Sequence, residues 1–281
     1  MAGTRLDVLL HARGLYPSRE AARRAVMAGL VKVGGERADK PGMKVHDDAV
    51  VDILEPEHHF VSRGGLKLQQ ALDRFDVDVT GRVAIDVGAS TGGFTDCLLQ
   101  HSASRVYAVD VGYGQLAWTL RNDPRVVVME RTNFRHADEG LFQPQPSLAV
   151  MDVSFISTKL LFPKLAAVST DGADVISLVK PQFEAGRGFV GKGGIVRDAR
   201  VHLRVLLDML DHVTSVGWSC HGLTFSPISG GDGNIEFLAW WKMVEGDESS
   251  NWTSVAKAVV VEAWNELQGE NVESVLESPL A

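Results

Sequence analysis

Asp86-Val-Gly-Ala-Ser-Thr-Gly-Gly-Phe94 decides the fold. It closes the apolar run Val83–Val87 and opens an amphipathic stretch over 92–100, so it reads as strand, glycine turn, helix. Such a turn lets the backbone approach a ligand closely at the carboxyl end of a parallel strand. The spacing is D-x-G-x-x-x-G-G, not the dinucleotide pattern G-x-G-x-x-G. An acid at the strand end suits a cationic or amine-bearing ligand better than a pyrophosphate. Asp110 ends the next strand, where a carboxylate can hold both hydroxyls of a ribose. No G-x-x-x-x-G-K-[ST] occurs, which excludes an ATP P-loop. These features favour S-adenosylmethionine over a turn that merely packs a helix.

Outward from this turn, strands are expected at Val83–Val87, Arg105–Asp110, Arg125–Glu130, Leu148–Asp152, Asp174–Lys180, Gly222–Ser226 and Ile235–Trp241. Amphipathic stretches over 68–76, 92–100, 157–168 and 198–216 separate most of them. Alternating strands and helices imply an α/β fold, with a parallel sheet covered on both faces. Only the loop Pro227–Asn234 separates the last two strands, so the final strand should be antiparallel, paired by a hairpin. Before this domain, Leu6, Leu9 and Leu10 share a helical face, and Ser18 caps a second helix that stops at Gly29. That helix turns Ala21, Ala22, Ala25 and Val26 inward and sets Arg19, Arg23 and Arg24 close together outside. Short strands over 30–33 and 49–54 follow, and Pro56 ends the unit.

The 281 residues, 45% apolar and 23% charged, leave room for one medium and one small globular domain. No run of about 18 apolar residues and no apolar leader is present, so no spanning helix or secretory signal is expected. Cys97 and Cys220 make neither a disulfide framework nor a zinc pair, and no metal site is expected. The expectation is a reducing, cytoplasmic setting. The net charge of −8 is unevenly spread. Residues 1–46 carry nine basic and four acidic side chains, a net +5, which leaves −13 for the remainder. A basic segment of this kind meets a polyanion or is simply a solvated face. Residues 245–281 carry eight acids and one lysine, and read as a helix over 252–268 followed by a loose tail.

Four charged residues stand where a buried sheet does not favour them. Asp152 and Lys180 end strands, Glu236 lies inside the apolar Ile-Glu-Phe-Leu-Ala-Trp-Trp241, and Lys67 follows the junction Ser62-Arg-Gly-Gly-Leu66. Taken singly, each would serve as a rim residue or half of a salt bridge. Because isolated buried charges are costly, they should converge on one another. Two lysines and two acids in one cleft can move protons. An amine with a pKa of about 10.4 is a poor base, but desolvation and a second cation favour its neutral form. Such an amine could take the proton of a sugar hydroxyl held in line with a sulfonium methyl.

At this point the chain resembles the TlyA (haemolysin A) family, in which an S4 RNA-binding domain precedes an FtsJ-like methyltransferase domain. The resemblance runs from about residue 4 to 244. It rests on Ser62-Arg-Gly-Gly-Leu-Lys67, Asp86-Val-Gly-Ala-Ser-Thr-Gly-Gly-Phe-Thr95, Asp110-Val-Gly-Tyr-Gly-Gln-Leu-Ala-Trp118 and Arg121-Asn-Asp-Pro-Arg-Val126. Glu130-Arg-Thr-Asn133, Asp152-Val-Ser-Phe-Ile-Ser157, Leu178-Val-Lys-Pro-Gln-Phe-Glu184 and Gly233-Asn-Ile-Glu236 extend it.

The resemblance implies a class I (Rossmann-like) S-adenosylmethionine-dependent methyltransferase with a seven-stranded, mostly parallel sheet, behind a small α+β S4 domain. The boundaries expected are an S4-like domain over 1–60, a linker over 61–66, a methyltransferase domain over 67–244 and an acidic extension over 245–281. The implied activity is 2′-O-ribose methylation of cytidine in ribosomal RNA, with ribosomal subunits as partner and no obligate protein partner. The implied tetrad is Lys67, Asp152, Lys180 and Glu236. Here Lys180 is taken as the base and Asp152 as its orienting group, with Lys67 and Glu236 positioning the ribose. The cofactor set is Asp86, Gly88, Ala89, Ser90, Gly92, Gly93, Phe94, Asp110 and Asn133. Arg5, Arg19, Arg23, Lys40 and Arg63 are the RNA contacts expected. Two features depart from the family. The linker often carries Arg-x-Trp-Val, whereas this chain has His58-His-Phe-Val61, and residues 245–281 run past the usual end. The competing readings are a membrane-active haemolysin, which the lack of a basic amphipathic helix opposes, and a non-catalytic ribosome-binding factor, which the complete tetrad opposes.

Overall fold

The computed structural model describes residues 3–27, 29–38, 40–54, 59–244 and 251–278, apart from the side chains of Arg24 and Arg187. Pro56, His58, the Arg24 side chain and residues 245–250 and 279–281 of the extension therefore lie outside the described residues. The chain divides after His59 into two compact units.

The first unit holds β1 (Thr4–Arg5), α1 (Leu6–Ala12), α2 (Arg19–Met27), β2 (Val31–Val33), β3 (Glu36–Arg37), β4 (Lys44–Val45) and β5 (Val51–Ile53). Strand β1 pairs with β4, and β2 lies between β3 and β5, all antiparallel. The core is Leu6, Leu9, Leu10, Ala22, Ala25, Val26 and Val31, so the two amphipathic stripes meet as the periodicity requires. The Ser18 hydroxyl accepts the Ala21 amide at 3.1 Å, which fixes the start of α2. Gly29, at φ +71°, ends it.

The second unit contains α3 (Gly64–Phe75), β6 (Val83–Val87), α4 (Gly93–Gln100), β7 (Arg105–Val109), α5 (Trp118–Arg121), β8 (Val126–Met129) and β9 (Leu148–Met151). It continues with α6 (Phe162–Val168), β10 (Asp174–Val179), α7 (Pro181–Glu184), α8 (Ala199–Ser215), β11 (Ser219–Phe225), β12 (Phe237–Lys242) and α9 (Trp252–Gln268). The sheet runs β11-β12-β10-β9-β6-β7-β8. Strands β6 to β10 are parallel, and β12 is antiparallel to both neighbours. Successive residues feed opposite faces. Ile85, Val87, Ala149 and Met151 join one apolar cluster, while Ala84, Leu148 and Val150 join the other. The chain leaves β6 in one direction through β7 and β8 and returns to β9 on the other side. This makes β6/β9 the topological switch point, where parallel sheets bind ligands.

Three expectations change. Glu236 sits one residue before β12, not inside it, because the register starts with Phe225 opposite Phe237. Strand β11 begins at Ser219, earlier than alternation indicates, since a bulge between Cys220 and Gly222 breaks the period. Residues 61–66, expected as a linker, lie within the second unit. There the Val61 amide donates to Asp96 Oδ2 at 2.7 Å, and α3 already starts at Gly64.

The acidic extension is also more closely bound than its charge suggests. Helix α9 buries Ala256, Val259, Val260, Ala263 and Trp264 in the main cluster, and Val272 beyond it is buried too. Trp264 Nε1 donates to His202 Nδ1 of α8 at 2.9 Å. Burial lowers the His202 pKa to about 4, so the ring stays a neutral acceptor. Trp264→Ala should destabilise the chain by about 3–5 kcal/mol in urea unfolding. A loss below about 1 kcal/mol would show that α9 stands outside the cooperative core.

Candidate active site

The three central strands β6, β9 and β10 end side by side, and the chain places a functional loop after each. Gly88 follows β6 at φ +90°, and a Cβ there would lie 2.5 Å from the Asp152 carbonyl oxygen. Only glycine allows the two loops to close on one another in this way. Asp152 follows β9 and Lys180 follows β10, so both project from the same edge of the sheet. Lys67 comes from α3, on the buried side with Leu68, Ala71 and Leu72. Glu236 leads into β12.

The four charges form two close pairs. Lys67 Nζ donates to Glu236 Oε2 at 2.5 Å, and Lys180 Nζ lies 2.5 Å from Asp152 Oδ1 and donates to Ser154 Oγ at 3.1 Å. Both lysines are 8% exposed and Glu236 is 2% exposed. Charges this deep persist only when paired. Two adjoining cavities link the pairs. One, of about 260 Å³, has Ser62, Arg63, Lys67, Asp152, Lys180 and Ser229 on its wall. The other, of about 450 Å³, is walled by Val109, Asp110, Gln115, Asn133, Phe134 and Phe155 among others. Gly88, Ser90, Asp152 and Ser154 belong to both walls. Glu236 stands behind Lys67, off the cavity surface.

The larger cavity fits a nucleoside-bearing cofactor. Its apolar walls Val87, Val153, Ile156 and Leu161 suit a flat base, and Asp110 stands where a ribose would be held. Asp110 already accepts the Ser90 amide at 2.7 Å and the Gly112 amide at 2.6 Å, which fixes its carboxylate while leaving further acceptor sites. Of the expected cofactor set, Gly88, Ser90, Asp110 and Asn133 line this cavity, and Ala89, Gly93 and Phe94 line the smaller one.

Asp86 and Gly92 line neither cavity. Gly92 leaves the space that Leu120 and Leu116 occupy. Asp86 is fully buried beneath the turn and accepts the Thr95 hydroxyl at 2.6 Å. Burial raises its pKa to about 7, against the opposing Thr95 hydrogen bond. Among the RNA set, Arg63 is on the smaller cavity's wall, and Arg23 and Lys40 are exposed on the first unit. Arg5 and Arg19 of that unit both bond to Asp7.

Four contributing residues lie inside the motifs quoted above, where the sequence gives each no role of its own. Ser154 accepts from Lys180, and Phe155 is 92% exposed at φ +66° on the larger cavity's rim. Glu184 accepts from Ser157 Oγ at 2.6 Å, the Thr158 amide at 2.8 Å and Thr158 Oγ1 at 2.9 Å. It thereby ties the segment after Lys180 to the segment after Asp152. Buried Asn234 accepts the Val196 amide at 3.0 Å and donates to the Gly194 carbonyl at 2.9 Å, tying the loop over 191–196 to the approach to Glu236. An asparagine or glutamate beside a turn is too common to single out; only the folded contacts reveal these roles.

The profile of the FtsJ-like methyltransferases matches residues 60–243, and that of the S4 domain matches residues 4–51. The chain belongs to the FtsJ-like methyltransferases, within the TlyA group. A Bacillus subtilis relative, YqxC, named as an rRNA methyltransferase, is 56% identical over 235 residues, 83% of this chain and 84% of its own. The Mycobacterium tuberculosis 16S/23S rRNA (cytidine-2′-O)-methyltransferase TlyA is 45% identical over 237 residues, covering 84% of this chain and 88% of its own. A solved Streptococcus thermophilus structure that carries a hemolysin name superposes with a TM-score of 0.76 at 47% identity, covering 96% of this chain and 98% of that one. The seven-stranded unit is thus the Rossmann-like class I methyltransferase fold, and the chain is a methyltransferase.

The raised pKa of Asp86 sets a pH signature for this methyltransferase. Asp86 ionises near 3.8 in the unfolded chain and near 7 in the folded one, so its contribution to stability is complete below 3.8 and lost as pH rises to about 7. Asp86→Asn, which stays neutral, should gain stability relative to the parent chain as pH rises from 4 to 7. Urea midpoints of both proteins across that range check it, and a constant difference would show that Asp86 is ionised throughout.

Proposed function

We propose that this enzyme transfers a methyl group from S-adenosylmethionine to the ribose 2′-hydroxyl of cytidine in ribosomal RNA, acting on assembled ribosomal subunits. One observation carries this reading: the paired lysines and carboxylates border two cavities that share a wall at Gly88, Ser90, Asp152 and Ser154. The larger cavity has the size and lining for the cofactor, and the smaller one has the cationic lining for a ribose and its phosphates. The names borne by the Mycobacterium tuberculosis and Bacillus subtilis relatives agree with it.

When bound, S-adenosylmethionine supplies an electrophilic methyl group. As a neutral amine, oriented by Asp152 Oδ1 across their 2.5 Å contact, Lys180 Nζ takes the proton of the 2′-hydroxyl. Ser154 Oγ fixes the amine's direction. Lys67, held by Glu236, donates to a ribose oxygen and keeps the sugar against the shared wall. Arg63 meets a neighbouring phosphate. Phe155, held outward on the rim, offers a face on which an unstacked base can lie. The first unit recognises RNA through phosphates and 2′-hydroxyls rather than through base sequence. With ribosomal subunits as substrate, the reaction is a cytoplasmic one. No described helix is long and apolar enough to cross a membrane.

Lys180→Ala should abolish methyl transfer while S-adenosylmethionine binding, measured by calorimetry, stays within about twofold. Retained turnover would remove Lys180 from the mechanism. Mass mapping of ribosomal RNA from cells with and without the enzyme should show one or more cytidines losing a methyl group; unchanged maps would overturn the substrate. Because phosphate contacts release counterions, the apparent affinity for subunits should fall steeply between 50 and 200 mM salt. A flat response would remove the basic unit from recognition.

A further inference from the structure

Asp7 has an unusual setting in the first unit. It lies in the first turn of α1, beside the core residues Leu6, Leu9 and Leu10, and is 2% exposed. Its Oδ1 accepts Arg5 Nε at 3.0 Å and the Val8 amide at 3.0 Å. Its Oδ2 accepts Arg5 Nη2 at 2.8 Å and Arg19 Nε at 3.2 Å. Arg5 is therefore gripped along one edge by both carboxylate oxygens, and Arg19 joins from the start of α2. The guanidinium-bearing side chains remain 49% and 52% exposed, while that of Asp7 is 3% exposed. Behind Arg5 stands Gly42, where a Cβ would lie 3.0 Å from Arg5 Nη1. A buried carboxylate is a costly way to fill a place beside three leucines, and packing alone does not call for one. What it does achieve is to hold two long cationic side chains from β1 and α2 in one arrangement.

We propose that Asp7 is a positioning residue for RNA, a buried carboxylate that presents Arg5 and Arg19 as a preset pair of phosphate ligands. This rests on the RNA-methylating function proposed above. Arginine has five N–H donors, and the contacts with Asp7 use two on Arg5 and one on Arg19. The donors that remain can meet phosphate oxygens without first losing the rotamer freedom of a loose side chain. The Arg5 hydrogen bonds hold the Asp7 pKa at about 2, so the arrangement persists at any working pH.

The proposal makes a prediction opposite in sign to that of simple electrostatics. Asp7→Asn removes a negative charge from the basic unit, so attraction by net charge alone would tighten RNA binding. Loss of the preset pair should instead raise KM for subunits about tenfold, with kcat falling less, and flatten the salt dependence. Gly42→Val perturbs the same pair without touching any charge. A Cβ there meets the Arg5 guanidinium at 3.0–3.3 Å, so the valine forces Arg5 to give way, and the Gly42 backbone lies outside the left-handed region, so the substitution adds no backbone strain.

The experiment uses the full-length enzyme with ribosomal subunits purified from cells that lack it. Methylation kinetics and filter binding are followed over a salt series, and thermal melting is recorded for each variant. Higher KM and a shallower salt slope in both variants, with parental melting curves, support the proposal. Binding by Asp7→Asn that is unchanged or tighter overturns it, as does parental behaviour of Gly42→Val. If Asp7→Asn alone melts early, Gly42→Val decides. Failure of the parent enzyme to bind or methylate subunits would instead refute the proposed function.

Discussion

Burying an ammonium or a carboxylate alone is prohibitive, and the architecture around the sheet's carboxyl edge answers that constraint. Lys67 and Lys180 are deep, and each has a carboxylate in direct contact. The partners come from four different elements, α3, the ends of β9 and β10, and the entry to β12. The pairs therefore form only when the strand order and the α3 packing are correct. The geometry of the proposed site and folding specificity depend on the same contacts.

Around these pairs, uncharged and acidic side chains act as ties. Glu184 joins the segments that follow Asp152 and Lys180, and Asn234 joins the loop over 191–196 to the approach to Glu236. The loops themselves have little regular structure, so such ties replace the hydrogen-bond ladder that holds the strands. In the proposed reaction such rigidity would matter for rate, because reacting atoms must be held at attack distance and orientation.

Much of the sheet was legible in the sequence. Leu148–Met151 is a continuous apolar run and Val83–Val87 is interrupted only by Asp86, because both faces of a central parallel strand are covered, and both strands lie as expected. The pairing of Lys67, Asp152, Lys180 and Glu236 was also foreshadowed, since charges at the ends of apolar runs have few other stable positions. What stayed hidden depends on register and depth. Alternation could not show the bulge at Cys220/Gly222, or that Glu236 precedes its strand. Asp86 reads like a ligand group from its place before the glycine turn, yet its side chain points into the core toward Thr95. The acidity of residues 245–281 hid the docking of α9, because only Glu262 and Glu266 of their eight acids lie on that helix. Asp7 was hidden for a simpler reason: one of four acids among nine cations looks like dilution, and only its burial reveals an organising role.

Gly88, Ser90, Asp152 and Ser154 border both chambers. A single small molecule that joins a nucleoside to a sugar mimic could therefore occupy both at once through a short tether. On the proposed reading its selectivity would come from the sugar-mimicking half, set against the lysines, while the nucleoside half would use an apolar slot of a type many enzymes share.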